Sequence, residues 1–148
     1  MSDRTEQLTA LLERVKAAVG PDREIDVRLV VLVRDRRELR EDVHPEFGPQ
    51  IISRNPKPPH DENWADHPTN SVPPYTASID SALALVERVL PMTLWATGSM
   101  EDGPFCQLVV PTEGGSYAGG DHRAYAETPA LAILAALLTA LIAQEKAS

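Results

Sequence analysis

The feature that most constrains the fold is a C-terminal segment, residues 128–143, that is apolar on nearly every side. Thr128 suits a helix N-cap and Pro129 suits the first helical position. Large apolar residues then follow around the whole helix: Leu131, Ile133, Leu134, Leu137, Leu138, Leu141 and Ile142. A helix of this kind must be covered on more than one side. The apolar run, residues 130–143, is shorter than the ~20 residues of a membrane span, so we expect a core helix.

A second capped helix and three short strands precede this segment. Ser78 or Thr76 caps a helix that ends before Pro91. Strand candidates follow at residues 93–97, at 105–110, and at 116–118 with a continuation at 123–126. The fold class is therefore α+β: a small three-stranded antiparallel sheet sandwiched by helices. We expect the unit helix, three-strand meander, helix, with both of these helices on one face of the sheet.

Two further helices are predicted in the N-terminal part, residues 1–42. The apolar spacing of residues 3–19 indicates an amphipathic helix that stops at Gly20 and Pro21. Residues 21–42 are interpreted as one helix, because the charged run 34–41 favours helix by propensity. A strand over residues 27–33 is the alternative, since apolar residues alternate there.

Eight prolines fall in residues 43–74, and they exclude a long helix or a central strand in a Pro-rich loop. Ile51, Ile52 and Trp64 are the residues expected to attach this loop to the core. The predicted organisation is thus an N-terminal helical segment 1–42, a Pro-rich loop 43–74 and an α/β sandwich core 75–148, in one compact domain.

Three helix starts carry a family resemblance. Residues 20–26 (GPDREID), 74–83 (PYTASIDSAL) and 126–132 (AETPALA) resemble the small phage proteins of the phage ABA (α-β-α) sandwich domain group. The resemblance implies a small α/β sandwich made by a phage or prophage inside a bacterium. It carries over no catalytic residue. The chain departs from the pattern in its long Pro-rich middle and at Ile133, where many relatives would have Cys.

Composition restricts the classes of partner and compartment. The net charge of −8 argues against long nucleic acid, whose binding needs clustered Lys and Arg. One cysteine, Cys106, cannot form an internal disulfide, and its apolar surroundings indicate a buried, inert thiol. The polar first residues do not resemble a signal peptide. We therefore expect a cytoplasmic protein of the bacterial host, without membrane contact.

Two loops are candidates for binding chemistry. His60, Asp61, Glu62, Asp66 and His67 are residue types that could hold a metal, but their spacing matches no standard zinc site. We predict a solvated loop there, with no metal and no cofactor.

The second loop, residues 114–125, is rich in glycine, tyrosine and arginine. Glycines let backbone N–H groups approach an anion, Arg123 could pair with a phosphate, and tyrosines could stack on a base. The candidate ligand-binding residues are Tyr117, Gly119, Gly120, His122, Arg123 and Tyr125. The alternative is a glycine-rich hairpin with a purely structural role. No catalytic residue is assigned, because no nucleophile can be placed beside Asp121 and His122.

The leading functional hypothesis is a non-enzymatic, phage-encoded binding protein. It would act in counter-defence as a sponge that sequesters a nucleotide immune signal. One alternative is an acidic protein–protein inhibitor of a host factor, which the charge of −8 favours. Another is a nucleotide-cleaving enzyme that uses His122. A homo-oligomer, most simply a dimer, is expected because one small sheet cannot cover an all-apolar helix.

Overall fold

The computed structural model describes residues 3–46, 48–54, 65–66, 72–112, 114–117 and 120–147. In these ranges the helices are α1 (Asp3–Ala17), α2 (Arg23–Leu29), α3 (Ile79–Val89) and α4 (Pro129–Ala147), and α2 continues as a π-helical segment (Val30–Arg34). The strands are β1 (Glu38–His44), β2 (Gly48–Arg54), β3 (Ala65–Asp66), β4 (Leu94–Met100), β5 (Gly103–Val109) and β6 (Asp121–Tyr125). They form two antiparallel sheets, β1-β2-β3 and β4-β5-β6. The predicted α+β class and the helix–meander–helix unit are confirmed.

Helix α4 is the centre of the core. It contacts β5 and β6 on the sheet side and α1 and α3 on the helical side. Its buried residues lie on all sides of the helix, from Ala130 to Ile142, and Thr139 alone in that stretch is half-exposed. The chain itself therefore covers α4, so the reason given above for an oligomer, an uncovered apolar helix, is wrong.

By length and composition alone, Pro129–Ala147 could cross a membrane. However, 67% of its most apolar 18-residue window is buried inside the protein. Burial of this extent is typical of a core helix.

Helix α3 packs differently from the expectation that it shares a sheet face with α4. It contacts α4 and the π-helical segment, whereas α4 is the helix that lies on the sheet. Ser78 is its N-cap and accepts a hydrogen bond from the Ser81 N–H at 3.1 Å. Of the two cap candidates, Ser78 is thus the correct one, and Thr76 has another role.

Thr76 joins the start of α3 to α2 through a buried carboxylate. The side chain of Asp26 is 1% exposed, and its Oδ1 accepts hydrogen bonds from the backbone N–H of Thr76 at 2.8 Å and from its hydroxyl at 2.9 Å. Arg23 donates to the other carboxylate oxygen at 2.9 Å. A buried charge is tolerated only with such partners. These contacts fix residues 72–76 against the first turn of α2.

The single helix predicted over residues 21–42 is only half right. Helix and π-helical turn run from Arg23 to Arg34, which excludes the alternative strand at 27–33. The chain then reverses because Arg36 takes a left-handed conformation (φ 51°), and β1 begins at Glu38. Helix propensity of the charged run is overridden here by pairing with β2.

Two acidic residues of the charged run, Glu38 and Glu41, form ion pairs with arginines outside the run. Glu38 lies opposite Arg54 in the β1–β2 register, and their side chains form an ion pair at 2.7 Å. Glu41 contacts Arg28 of α2. Opposite charges placed directly across a ladder stabilise a sheet. The sheet β1-β2-β3 was not predicted.

The expectation that prolines exclude a central strand from residues 43–74 is wrong, because β2 forms there. Strand β2 lies between β1 and β3 and includes Pro49. Pro49 is the second residue of the strand, and among the described residues β3 pairs with β2 at Ile52 and Ser53, not at Pro49. Ile52 is buried and Ile51 is half-buried, as expected, whereas Trp64 lies outside the described residues.

The third strand of the meander forms at the predicted continuation. Residues 116–117 are not a strand, and β6 spans Asp121–Tyr125. Gly103 makes the tight turn between β4 and β5 with a φ of +105°, a conformation that suits glycine.

The first stability test removes a side chain from α4. Leu134 is 0% exposed, so Leu134→Ala should lower the free energy of unfolding by ~2–5 kcal/mol, through lost burial and the cavity that remains. The matched control is Val19→Ala, because Val19 is 84% exposed. Urea unfolding of both variants measures the difference. Equal midpoints would show that α4 is not the core helix.

The second stability test concerns the buried carboxylate. Thr76→Val keeps the side-chain shape but removes the hydroxyl that donates to Asp26, which should cost ~1–3 kcal/mol. Thr112→Val is the control, since Thr112 is exposed and its hydroxyl donates to the Ser116 carbonyl of its own loop. Thermal unfolding that ranks the two variants equally would contradict a supporting role for Thr76.

Candidate functional site

The side chains of strand β5 alternate between the two faces of the meander. Cys106 and Leu108 are 0% exposed and face α4. Residues of opposite parity, Phe105, Gln107 and Val109, are half-buried and lie on the outer face. No residue within the described ranges forms a layer over that outer face. Among the described residues this outer face is therefore the uncovered face of the sheet.

The register of β6 adds three further side chains to this outer face. Phe105 lies opposite Tyr125, Gln107 opposite Arg123, and Val109 opposite Asp121. Cross-strand partners share a sheet face and are in contact distance. We call the cluster of Phe105, Gln107, Asp121, Arg123 and Tyr125 the Phe105 platform.

The platform is ordered by direct contacts. The Arg123 guanidinium carbon lies 4.8 Å from the centroid of the Phe105 ring, a cation–π distance. The rings of Phe105 and Tyr125 are tilted by 46° with their centroids 6.1 Å apart. Arg123 Nη2 donates to Gln107 Oε1 at 2.8 Å, and Gln107 Nε2 donates to Asp121 Oδ1 at 2.7 Å.

This geometry leaves binding capacity at the surface. A guanidinium has five N–H donors, and Arg123 is an exposed residue with one hydrogen bond to Gln107 in the described part of the chain. The half-buried rings of Phe105 and Tyr125 present aromatic surface beside it. An exposed cation next to aromatic surface can hold an anionic group and a flat ring together.

The structure brings together two of the six candidate residues, Arg123 and Tyr125. His122 lies opposite Leu108, hence on the other face of the sheet from Arg123. Tyr117 lies at the end of the meander, where its hydroxyl donates to the Met92 carbonyl at 3.0 Å. Gly119 lies outside the described residues.

Gly120 is required by the fold. Its carbonyl accepts from the Val110 N–H at 2.8 Å, and a Cβ at this position would collide with the Val110 carbonyl oxygen. The close backbone approach explains the glycine without a ligand.

Sequence reasoning missed Phe105, Gln107 and Asp121 as members of the site. The signal that could have found them is the alternation in residues 104–110. Buried Cys106 and Leu108 alternate with Phe105 and Gln107, which places the latter two on the opposite face. Their contact with Arg123 depends on the β5–β6 register, which cannot be read from the sequence.

Cys106 behaves as predicted, as a buried thiol. It is 0% exposed, and burial raises its pKa to about 11. The thiolate needed for nucleophilic attack is therefore scarce at neutral pH.

The histidine and acidic cluster of the Pro-rich loop is not described, apart from Asp66 in β3. Among the residues that the structure describes, no group of three His, Cys, Asp or Glu side chains could hold a metal ion. The prediction of a solvated loop stays a prediction.

A groove of about 350 Å³ lies between α1 and β1. Arg14 and Arg28 line it, but both pair with Glu24, at 3.1 and 3.0 Å, and Arg28 also contacts Glu41. Hydrogen bonds from Arg14 and then Arg28 lower the pKa of Glu24, so it stays ionised. Both arginines are thus ion-paired within the fold, although the buried Nε of Arg28 has no hydrogen-bond partner among the described residues.

Comparison with known proteins finds a likeness among solved structures only. No family model matches the chain, and no curated protein matches it. Among solved structures, a phage protein from Bacillus cereus ATCC 14579 is similar, with 20% identity and a TM-score of 0.45 over 83% of this chain and 93% of that one. This likeness does not confirm the particular sandwich-domain group. A likeness at this level carries no argument about function.

The role of Gly120 can be tested directly. Gly120→Ala should destabilise the protein, because the new methyl group must displace the Val110 carbonyl and strain the β5–β6 junction. Gly114→Ala is the control, since nothing lies within 4 Å of a Cβ there. Thermal unfolding should show a clear loss for the first variant and little for the second. Similar melting temperatures for the two variants would show that the fold does not require a glycine at position 120.

Proposed function

We propose that the chain is a phage-encoded, non-enzymatic binding protein that holds a small nucleotide on the Phe105 platform and so sequesters a nucleotide immune signal of the bacterial host. The observation that carries the proposal is the exposed Arg123 guanidinium, 4.8 Å from the centre of the Phe105 ring. The phage origin rests on the resemblance of residues 20–26, 74–83 and 126–132.

The platform matches the two parts of a nucleotide. Aromatic side chains bind any base by stacking, at about 1–3 kcal/mol for each base. Arginine binds phosphate through charge-assisted, bidentate hydrogen bonds. Phe105 and Tyr125 supply the rings, and Arg123 supplies the cation beside them.

The ligand should be a single small nucleotide rather than a long strand. A protein that binds a polynucleotide backbone needs a run of Lys and Arg, whereas this chain has a net charge of −8. On the platform, Asp121 accepts from Gln107 at 2.7 Å, so an acidic group lies at its end. A compact ligand can meet Arg123 without passing Asp121.

Binding without turnover fits the positions of the reactive groups. His122 lies on the face opposite to Arg123, and the Cys106 thiol is buried beneath the sheet. A ligand on the platform would therefore meet neither side chain.

The alternative is an acidic inhibitor that occupies a basic site on a host protein, which the net charge of −8 supports. Incubation of the pure protein with a panel of cyclic and ADP-ribose-type nucleotides separates the hypotheses. Retention, followed by recovery of the intact nucleotide after denaturation, supports the sponge. A new product supports cleavage, and no retention of any nucleotide supports the inhibitor.

Titration calorimetry with a retained nucleotide tests the platform. Arg123→Ala should weaken binding by roughly ten- to a hundred-fold, since a charge-assisted hydrogen bond is worth ~1.5–3 kcal/mol and each 1.4 kcal/mol is tenfold. Phe105→Leu should also weaken binding, because it keeps the apolar bulk but removes the ring. Arg88→Ala is the charge-matched control, because Arg88 is an exposed residue of α3. Equal affinities for Arg123→Ala and Arg88→Ala would exclude the platform as the site.

A further inference from the structure

We propose that the open edge of β4 is an interface through which two copies of this chain pair, strand to strand and antiparallel, about a twofold axis. The proposal is independent of the nucleotide hypothesis. It replaces the argument from α4, which the chain covers by itself, with a surface that the described chain leaves without a partner.

The first observation is the direction of the backbone groups in β5. The Pro104 carbonyl accepts from Ala126 N–H at 3.2 Å, and Val110 N–H donates to the Gly120 carbonyl at 2.8 Å. Even-numbered residues of β5 therefore direct their backbone groups toward β6. Odd-numbered residues of β5 direct theirs toward β4, because the direction alternates along a strand.

It follows which groups of β4 are open. The residues opposite odd-numbered β5 positions, such as Gly98 opposite Phe105, use their N–H and C=O on β5. Trp95, Thr97 and Ser99 lie opposite even-numbered positions, so their N–H and C=O groups point away from β5. In the part of the chain that the structure describes, β4 has no other neighbouring strand. An edge of this kind is a template for another strand.

The second observation is that β4 lacks the features that protect natural sheet edges. Its seven residues, Leu94–Met100, include no charge and no proline. The other long outer strands are charged: β1 carries Glu38, Arg40, Glu41 and Asp42, and β6 carries Asp121 and Arg123. Charged side chains are the usual protection against edge-to-edge pairing. Pairing at β4 also keeps two copies, each of charge −8, from bringing like charges together at the contact.

The third observation is apolar exposure on both faces of the same strand. Leu94 is 54% exposed and Met100 is 57% exposed on the outer face, and Trp95 is 45% exposed on the face toward the helices. Exposed apolar side chains grouped at an unpaired edge indicate an interaction surface.

The occupant is a second copy because the strand is complementary to itself. With Thr97 on the twofold axis, every open backbone group finds a partner: Thr97 pairs with Thr97 of the second copy, and Trp95 pairs with Ser99. On the outer face the same register places Leu94 opposite Met100 and the small Ala96 opposite Gly98. Leu94 therefore faces the flexible Met100 of the second copy, and Trp95 faces the small Ser99. The strand is thus complementary to itself about a twofold axis. The two sheets join into one of six strands, with both helical layers on one side.

The mass of the protein in solution tests the proposal. Light scattering of the wild-type chain at micromolar concentration should give twice the 16.2 kDa chain mass. Thr97→Pro removes an edge N–H that is not used within the subunit, and Trp95→Lys places a charge at the edge. Both variants should give the mass of one chain with an unchanged circular dichroism spectrum. Two variants are used so that a loss of folding in one of them does not decide the test.

A matched control comes from the other sheet. Val43 is 72% exposed on the outer strand β1, so Val43→Lys adds the same charge to a different edge. It should keep the two-chain mass. A wild type of one-chain mass, or a Thr97→Pro variant that keeps the two-chain mass, would overturn the proposal.

Disulfide trapping tests the register. Directly opposed, hydrogen-bonded residues of antiparallel strands have Cα atoms about 5.5 Å apart, within the range for a disulfide. Thr97→Cys should therefore form a covalent dimer on mild oxidation. Ser99→Cys should not, because two copies of residue 99 would lie about 14 Å apart at 3.4 Å for each residue. The native Cys106 is buried and does not interfere. Equal trapping at both positions would contradict the twofold at Thr97.

Discussion

Burial of α4 on all of its sides is the constraint on which the rest of the structure depends. Its Leu and Ile side chains fill the space toward β5, β6, α1 and α3, and its alanines allow those elements to approach closely. Burying a large apolar side chain stabilises the folded state by about 1.5–3 kcal/mol. A helix with so many of them cannot stay at a surface, so a sheet layer and a helical layer must both form around it. The sandwich follows from this one sequence segment.

The polar residues of the motifs serve that same packing. Asp26 is buried because Thr76 and Arg23 satisfy its carboxylate, and the bond holds the start of α3 against α2. Since α3 contacts α4 and the π-helical segment, this small network positions one helix of the core. Removing one of these three donors would leave the buried charge with one hydrogen bond fewer, which is costly. Asp26 and Thr76 are polar residues of two separate sequence motifs. Their contacts with each other show that they stabilise the fold.

The sequence predicts those features that local physics decides, and it fails where distant pairing decides. Caps and prolines mark the starts of α3 and α4 because a cap needs only its own first turn. The strand β1 is hidden, because Glu38 is a good helix former until Arg54 lies opposite it. The strand β2 is hidden for a similar reason. Whether Pro49 disturbs a sheet depends on its position in the pairing of the strands. The site shows the same limit. Arg123 and Tyr125 could be chosen from composition, but the role of Phe105 requires the register of β5 on β6.

One geometric mismatch accounts for both open surfaces of the meander. Neighbouring strands are about 4.8 Å apart, whereas a helix with its side chains is about 10 Å wide, so one helix covers about two strands. Helix α4 lies over β5 and β6 and reaches β4 only marginally, which leaves β4 exposed on both faces. The outer face has no layer from the described chain at all, and there the cation of Arg123 rather than apolar packing covers Phe105. The two surfaces differ accordingly: the outer face offers a charge and rings, while the β4 edge offers backbone hydrogen bonds and apolar side chains. A small charged aromatic ligand suits the first surface, and a further strand suits the second.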